Sequence, residues 1–278
     1  MNQLEIAKRA ATAGGDVIKK YFQERGRQNR DSRNSRSQSA NDQNKIERGT
    51  YQGIVTQADL ESEAAVAAVI KDAFPDHAIL AEETLHADSN QQHLWVVDPL
   101  DGTNNFAHGI PHFAVSIAYY ENGTAKCGVI LDPMHDDWFT VTENGGAFHN
   151  QKQVHVNDHS SLDQTMLAVG FYYDRGSMMR STLDAMEELF RENIHGFRRM
   201  GTAALDLVQV GLGRFGGFFE YSLSPWDFAA AKLFVEQAGG RVTTCKGNPV
   251  QLEKTSLLAT NGKLHEPMLK IVRNHHPS

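Results

Sequence analysis

The chain has 278 residues, 40% of them hydrophobic, and a formal net charge of −7, enough apolar content to bury a substantial core as one large domain or two intimate halves. No stretch approaches the roughly 20 apolar residues that span a bilayer, and the opening Met1-Asn2-Gln3-Leu4-Glu5 lacks the basic-then-apolar layout of a signal peptide, so a cytoplasmic address is expected. The acidic balance argues against a generic nucleic-acid binder and suits a protein that collects carboxylates around cations.

Leu4, Ala7, Ala11, Val17, Ile18 and Tyr21 recur at helical spacing and predict an amphipathic helix ending near Phe22. From Gln23 to Gln52 large aliphatic residues nearly vanish among Arg, Asn, Ser and Gln, which predicts a long mobile loop. Thr56 and Asp59 read as a capping pair for a second helix with Val66, Val69, Ile70 and Phe74 inside and Pro75 just beyond its end. Short apolar runs at Ala78-Ile79-Leu80 and Leu94-Trp95-Val96-Val97 each stop at acidic residues, as buried strands opening onto a site do. Phe113 to Tyr120 and Ala125 to Leu131 flank Glu121-Asn122-Gly123-Thr124 and predict a hairpin, and Trp138 to Thr142 adds another strand. Beyond Asn150, strands and helices alternate: Met166 to Val169, Met178 to Phe190, Thr202 to Val210, Phe215 to Glu220, Trp226 to Ala238 and Leu257 to Thr260. That alternation predicts an α/β layer stacked on an antiparallel first half: residues 1–150 and 151–278, packed together as one compact unit.

The most informative stretch is Trp95-Val96-Val97-Asp98-Pro99-Leu100-Asp101-Gly102-Thr103. An apolar strand delivers Asp98, Pro99 is expected to end the ladder for want of an amide hydrogen, and Asp101 arrives one turn later. Two carboxylates in one small volume repel and would force one to take a proton unless cations sit between them. Oxygen ligands of this kind suit Mg²⁺, and the amides of Gly102 and Thr103, at a helix start, would offer an adjoining anion pocket. Glu82-Glu83 follows its apolar run in the same strand-then-carboxylate manner, although such a pair alone is more often a solvated turn. Asp227, after Pro225 and Trp226, is a third candidate, and alone it reads equally as a first-turn acid facing the helix dipole.

Other features carry less. Cys127 and Cys245, the only cysteines, have no metal-ligand spacing and read as reduced, packed thiols. His149, His155 and His159 fit no zinc pattern and read as surface histidines. Gly213-Arg214-Phe215-Gly216-Gly217 ends a helix and begins a strand, the reverse of a dinucleotide fingerprint. Phe218 and Phe219 are expected in the core, leaving Glu220 at the strand end.

These residues resemble the inositol monophosphatase family. Three signatures occur in the family's order: Glu82-Glu83-Thr84, Trp95 to Phe106, and Trp226-Asp227 to Gly240, while Arg198 to Leu207 is similar to bacterial members. The resemblance runs from about Leu4 to the C-terminal helix and implies an α/β (α+β) layered sandwich of alternating helix and sheet layers. It implies that Glu82, Asp98 and the Leu100 carbonyl hold a first Mg²⁺, that Asp98, Asp101 and Asp227 hold a second, and that Glu82 and Asp59 share a weaker third. Thr103, close to Asp59, would help deprotonate the attacking water, the amides of Gly102 and Thr103 would grip phosphate, and Asp101, Gly201, Ala203 and Glu220 would contact substrate hydroxyls. Ala81 stands where the family has Gly, Asn104 where it often has Thr, and the 23–52 segment is longer than usual, with Arg48 or Lys45 as candidates for a family lysine.

The function implied is Mg²⁺-dependent hydrolysis of a small phosphate monoester, inositol 1-phosphate first, by direct attack of an activated water. Fructose 1,6-bisphosphate and 3′(2′),5′-bisphosphate nucleotides are the alternatives, because specificity lies in loops. Lithium inhibition and a homodimer are implied on the same ground. A role of another class, partnership with RNA polymerase in transcription antitermination, is also implied by bacterial relatives. The run Arg25, Arg27, Arg30, Arg33, Arg36 adds little to it, since no aromatic residue interleaves to stack on bases.

Overall fold

The computed structural model describes residues 2–34, 47–48, 54–55, 57–171 and 174–277. Helix α1 spans Gln3–Asn34, so the boundary expected near Phe22 is overturned. Beyond Phe22 the apolar face gives out, yet Glu, Arg and Gln are good helix formers and no proline interrupts them. The rest of the expected 23–52 loop, Lys45 and Thr56 lie outside the described residues, apart from the two-residue strands β1 (Glu47–Arg48) and β2 (Ile54–Val55), which pair antiparallel. Helix α2 (Gln57–Ala73) follows.

A seven-stranded sheet comes next in sequence. It comprises β3 (Ala78–Ala81), β4 (His93–Asp101), β5 (Ala114–Glu121), β6 (Thr124–Asp132), β7 (Asp137–Thr142), β8 (Gly146–His149) and β9 (Lys152–Val154), in that spatial order. The short helix α3 (Thr103–His108) separates β4 from β5. Only β3 and β4 run parallel. The hairpin between β5 and β6 turns on Asn122 and Gly123, with φ of 50° and 75°, the positive values that a two-residue turn between twisted strands demands.

Both faces of this sheet are buried, and β4 shows how. Leu94 and Val96 enter one core, while Trp95 and Val97 enter another, the period of two that puts successive side chains on opposite faces. The Trp95 side packs on α1 and α2. Contrary to expectation Pro99 does not end β4: the strand runs on to Asp101, with a bulge where Asp98 pairs Ser116 and Asp101 pairs Ala114. A bulge leaves a residue without a ladder hydrogen bond, so proline's missing N–H costs nothing there.

The second sheet has order β11-β10-β12-β14-β13, from β10 (Met166–Val169), β11 (Gly196–Arg198), β12 (Gly217–Leu223), β13 (Arg241–Thr243) and β14 (Thr255–Thr260). Helices α5 (Ala203–Gly211) and α6 (Pro225–Gln237) lie between the two sheets in one shared core, and α4 (Ser177–Arg191) and α7 (His265–Asn274) cover the outer face of the second. The stack is therefore helix, sheet, helix, sheet, helix. The sequence did not announce β8, β9, β11 or β13, each three or four residues long, too short for a period to declare itself. Cys127 and Cys245 are buried and unpaired, with burial pushing both thiols up, Cys127 to about 12. Among the described residues no helix is long and apolar enough to cross a membrane.

Candidate active site

A cavity of about 420 Å³ opens where β4, the N-terminus of α5, β12 and the N-terminus of α6 converge. It is lined by Glu82, Asp98, Leu100, Asp101, Gly102, Thr103, Gly201, Ala203, Glu220 and Asp227, so ten of the eleven residues singled out from sequence share one wall system. The eleventh, Asp59, is not in the lining. It is buried on α2 and accepts a hydrogen bond from Thr103 Oγ1 at 3.2 Å.

Local backbone chemistry sets each acid. Asp98 is 1% exposed and its Oδ1 accepts the Leu100 amide at 3.0 Å, which folds the bulge over the carboxylate. Ser62 on α2 donates to the Pro99 carbonyl at 2.9 Å and ties the bulge to the helix behind it. Thr103 Oγ1 also lies 3.1 Å from the Leu100 carbonyl. Gly102 has φ +102°, and a Cβ there would meet the His112 carbonyl, Phe113 Cβ and Thr202 Cγ2, each at 3.2 Å; only glycine takes this left-handed turn without strain. Asp101 accepts the Ala203 and Ala204 amides at 3.3 and 2.8 Å, so it caps α5 while its carboxylate lines the cavity. Asp227 accepts the Ser224 amide at 2.7 Å in a capping box with Pro225 at the first helical position. Asp227 is therefore a first-turn acid of α6 and lines the cavity as well.

The turn that follows Glu82 is held by Glu63, to which the sequence gave no role. The Glu63 carboxylate accepts the amides of Glu83 and Thr84 at 2.9 and 3.0 Å and also the Thr84 hydroxyl, pinning the turn after β3. Its position four residues after Asp59, on the same face of α2, was the available signal. Glu220 is not at a strand end as expected but mid-strand in β12, beside a bulge between Glu220 and Leu223. Arg199, Asp206 and Lys254 also line the cavity; the first two fall in the 198–207 stretch that resembles bacterial members, with no role given to either, and Lys254 lies in no motif. Asp206 is 2% exposed and its Oδ1 has no hydrogen-bond partner among the described residues.

The electrostatics are those of crowded acids. Burial first, and then Asp227, Glu83, Asp59 and Asp101, push the Glu82 carboxyl up to about 9. Burial and Glu82 hold Asp98 well above the carboxylate range. Burial and Asp101 raise Asp227 to about 7, and burial raises Asp101 to about 6 against its hydrogen bonds from Thr202, Ala204 and Ala203. Glu220 and Asp206 are raised chiefly by burial. Such a cavity holds protons until a cation replaces them. The acids share a cavity without closing on one another: among the described residues no three His, Cys, Asp or Glu side chains stand as a ready metal cage. His149 pairs with Asp137 at 2.9 Å and His155 is exposed.

The sequence profile of the Inositol monophosphatase family matches residues 2–276. The phosphatase IMPL1, chloroplastic, of Arabidopsis thaliana is 39% identical over 237 residues, which are 82% of this chain and 64% of that protein. The Nus factor SuhB of Salmonella typhimurium is 37% identical over 272 residues, 98% of this chain and 96% of that one. The solved inositol monophosphatase of Anabaena (Nostoc) sp. shares 37% identity and superposes with a TM-score of 0.79, covering 98% of this chain and 95% of its own. The five-layer stack is thus the fold of that solved inositol monophosphatase, and the chain belongs to the inositol monophosphatase family.

Proposed function

We propose that this protein is a Mg²⁺-dependent phosphatase of small phosphate monoesters, with inositol 1-phosphate as its leading substrate. The observation that carries this reading is the convergence of Glu82, Asp98, Asp101 and Asp227 on the cavity that Gly102 and Thr103 also line. The donor set fits the ion: buried carboxylates whose protons are held only by mutual repulsion and burial, with a carbonyl at Leu100, are the hard oxygen ligands that Mg²⁺ prefers.

Glu82, Asp98 and the Leu100 carbonyl would hold one ion, Asp98, Asp101 and Asp227 a second, and Glu82 with Asp59 a weaker third. When bound, the ions supply a water of lowered pKa and neutralise charge on the attacking and leaving oxygens. The protein's own groups do the rest. Thr103 Oγ1, hydrogen-bonded to Asp59, accepts a proton from the attacking water as it passes its own to that carboxylate, and Glu82 orients the same water. The amides of Gly102 and Thr103 receive phosphate oxygens. Asp101, Gly201, Ala203 and Glu220 orient the hydroxyls of the polyol. Lithium inhibition and a homodimer belong to the same reading.

Phosphate release from inositol 1-phosphate, fructose 1,6-bisphosphate and adenosine 3′,5′-bisphosphate, with and without Mg²⁺, tests it. Mg²⁺-dependent release fastest from inositol 1-phosphate is expected. Faster release from another ester overturns the substrate, and no release from any ester overturns the phosphatase.

A second reading is favoured by a separate observation, that relatives matching 98% of the chain bear the name Nus factor SuhB. On it the protein would bind RNA polymerase in antitermination. Co-purification of RNA polymerase with the full chain supports this role, and none at micromolar concentrations removes it.

A further inference from the structure

Helix α2 buries polar side chains as well as apolar ones. Asp59, Ser62 and Glu63 are buried together with Val66 and Ile70, at spacings of three and four residues that keep one face of a helix. Gly14 on α1 backs that face: a Cβ there would come 2.8 Å from Ser62 Oγ and 2.8 Å from Val66 Cγ2, so the missing side chain lets the two helices close.

Two neighbours in this stripe reach the ends of two strands. Ala81 pairs Val97 in the parallel register of β3 and β4, so Glu82 and Asp98 leave the sheet side by side. Ser62 donates to the Pro99 carbonyl in the bulge that follows Asp98. Glu63, 2% exposed, enters the turn that follows Glu82. There the Ala81 amide donates to the Leu85 carbonyl at 2.6 Å and Leu80 bridges His86, so the backbone doubles back around residues 82–84. The successive amides of Glu83 and Thr84 converge on one carboxylate, as in the backbone nests that bind anions, and the Thr84 hydroxyl is a third donor. The anion in this nest is the protein's own. A neutral acceptor would add no charge to a region that already holds Asp59, Glu82 and Glu83, but only a carboxylate brings two oxygens to the three donors.

We propose that Glu63 is a positioning residue for the metal site: by filling the 82–84 turn it fixes the direction in which the Glu82 carboxylate leaves β3. With Ser62 beside it, the same turn of α2 sets the separation of Glu82 from Asp98, the two side chains that would share one Mg²⁺. The ion in this assignment rests on the phosphatase reading; the hold of Glu63 on Glu82 does not, and is read without metal.

Both halves are measured on the full chain. In EDTA, Glu63→Gln should quicken exchange of the Glu83 and Thr84 amides about tenfold, since one oxygen must then serve three donors. It should also shift the side-chain carboxyl carbon signal of Glu82 while those of Asp101 and Asp227 stay in place. A Glu82 signal that stays put, or one that moves together with the other two, overturns the assignment. With Mg²⁺ added, the variant should bind the ion about tenfold more weakly or worse, the usual effect of losing a group that orients a metal ligand. The KM for inositol 1-phosphate at saturating Mg²⁺ should change by less than about twofold. A lowered thermal midpoint with unchanged Mg²⁺ affinity overturns the positioning role and leaves a structural one. Thr84→Val, which spares the carboxylate and both amides, should weaken Mg²⁺ binding about threefold; if Glu63→Gln does not fold, unchanged affinity in Thr84→Val overturns the assignment. A wild-type chain that binds no Mg²⁺ refutes the phosphatase reading, and the spectra in EDTA then decide alone whether Glu63 places Glu82.

Discussion

Asp101 Oδ2 accepts the Ala204 amide at 2.8 Å, joining the end of β4 to the first turn of α5 across 103 positions of sequence. The same carboxylate lines the acidic cavity, so the strand, the helix and the site are set by one side chain. Replacing it with asparagine keeps the shape but leaves one oxygen to serve the two amides and removes the charge. We expect Asp101→Asn to lower kcat/KM at least about 100-fold, as loss of a metal-site carboxylate does. Hydrogen exchange at the Ala203 and Ala204 amides should quicken about fivefold, the equivalent of about 1 kcal/mol of hydrogen bond. Unchanged exchange with lost activity would separate the capping role from the chemical one.

The raised carboxyls make a pH prediction with a definite sign. Glu82 at about 9, Asp227 at about 7 and Asp101 at about 6 all exceed the roughly 4 of free carboxyls. Between those limits the folded metal-free protein holds more protons than the unfolded chain, so raising the pH removes stability. Thermal midpoints in EDTA should fall from pH 7 to pH 9, above the range in which a histidine titrates, and Mg²⁺ should restore more at pH 9 than at pH 7. An EDTA profile that is flat or rises over that range would mean that the acids do not share one buried volume.

Gly170, buried at the end of β10, gives a test of Glu220. A Cβ at Gly170 would fall 1.7 Å from Glu220 Oε2 and 2.4 Å from its Cδ, so alanine there evicts the carboxylate from its place in the cavity. If Glu220 orients the polyol, Gly170→Ala should raise the KM for inositol 1-phosphate about tenfold, with kcat less affected, as expected when one oriented hydroxyl contact is lost. In a Glu220→Ala background the three atoms nearest that methyl, all of Glu220, are gone, and its cost should vanish. Additive effects in that double-mutant cycle would show that Gly170 acts on something else.

What the sequence made legible was whatever is local in it. The nonapeptide Trp95 to Thr103 carries its own strand, bulge and turn, and the unbroken apolar run Leu94 to Val97 states that both faces are covered. Lys254 was illegible, and Arg199 and Asp206 were noticed only as part of the 198–207 stretch, because their place comes from tertiary packing: nothing near Asp206 in sequence says that its Oδ1 is buried with no hydrogen-bond partner among the described residues. Pro99 was misread because a proline in an apolar run signals an ending as readily as a bulge, and only the Asp98 and Asp101 pairings with β5 decide. Helix α1 outran its apolar face because helix propensity and amphipathicity are separate signals and the reading used only the second.

His265 supplies the acid side of the same stability curve. It is fully buried, its Nε2 lies 3.0 Å from Thr243 Oγ1 and its Nδ1 3.1 Å from Thr260 Oγ1, and burial pushes it down to about 4. A histidine with a depressed folded value stays neutral in the native state while the unfolded chain takes a proton below about 6.5, so stability is lost as pH falls from there toward 4. The two hydroxyls bridge β13, β14 and the first residue of α7, which makes the neutral ring a cross-link of the second sheet. The His265 contribution to the urea midpoint should therefore drop between pH 7 and pH 4, by an amount on the order of 3 kcal/mol at most. His265→Asn, which keeps polar groups but cannot ionise, should start less stable at pH 7 and lose less on acidification. The curve of the metal-free protein then has a maximum where the carboxylate limb and the His265 limb cross, and in the variant that maximum should move to lower pH.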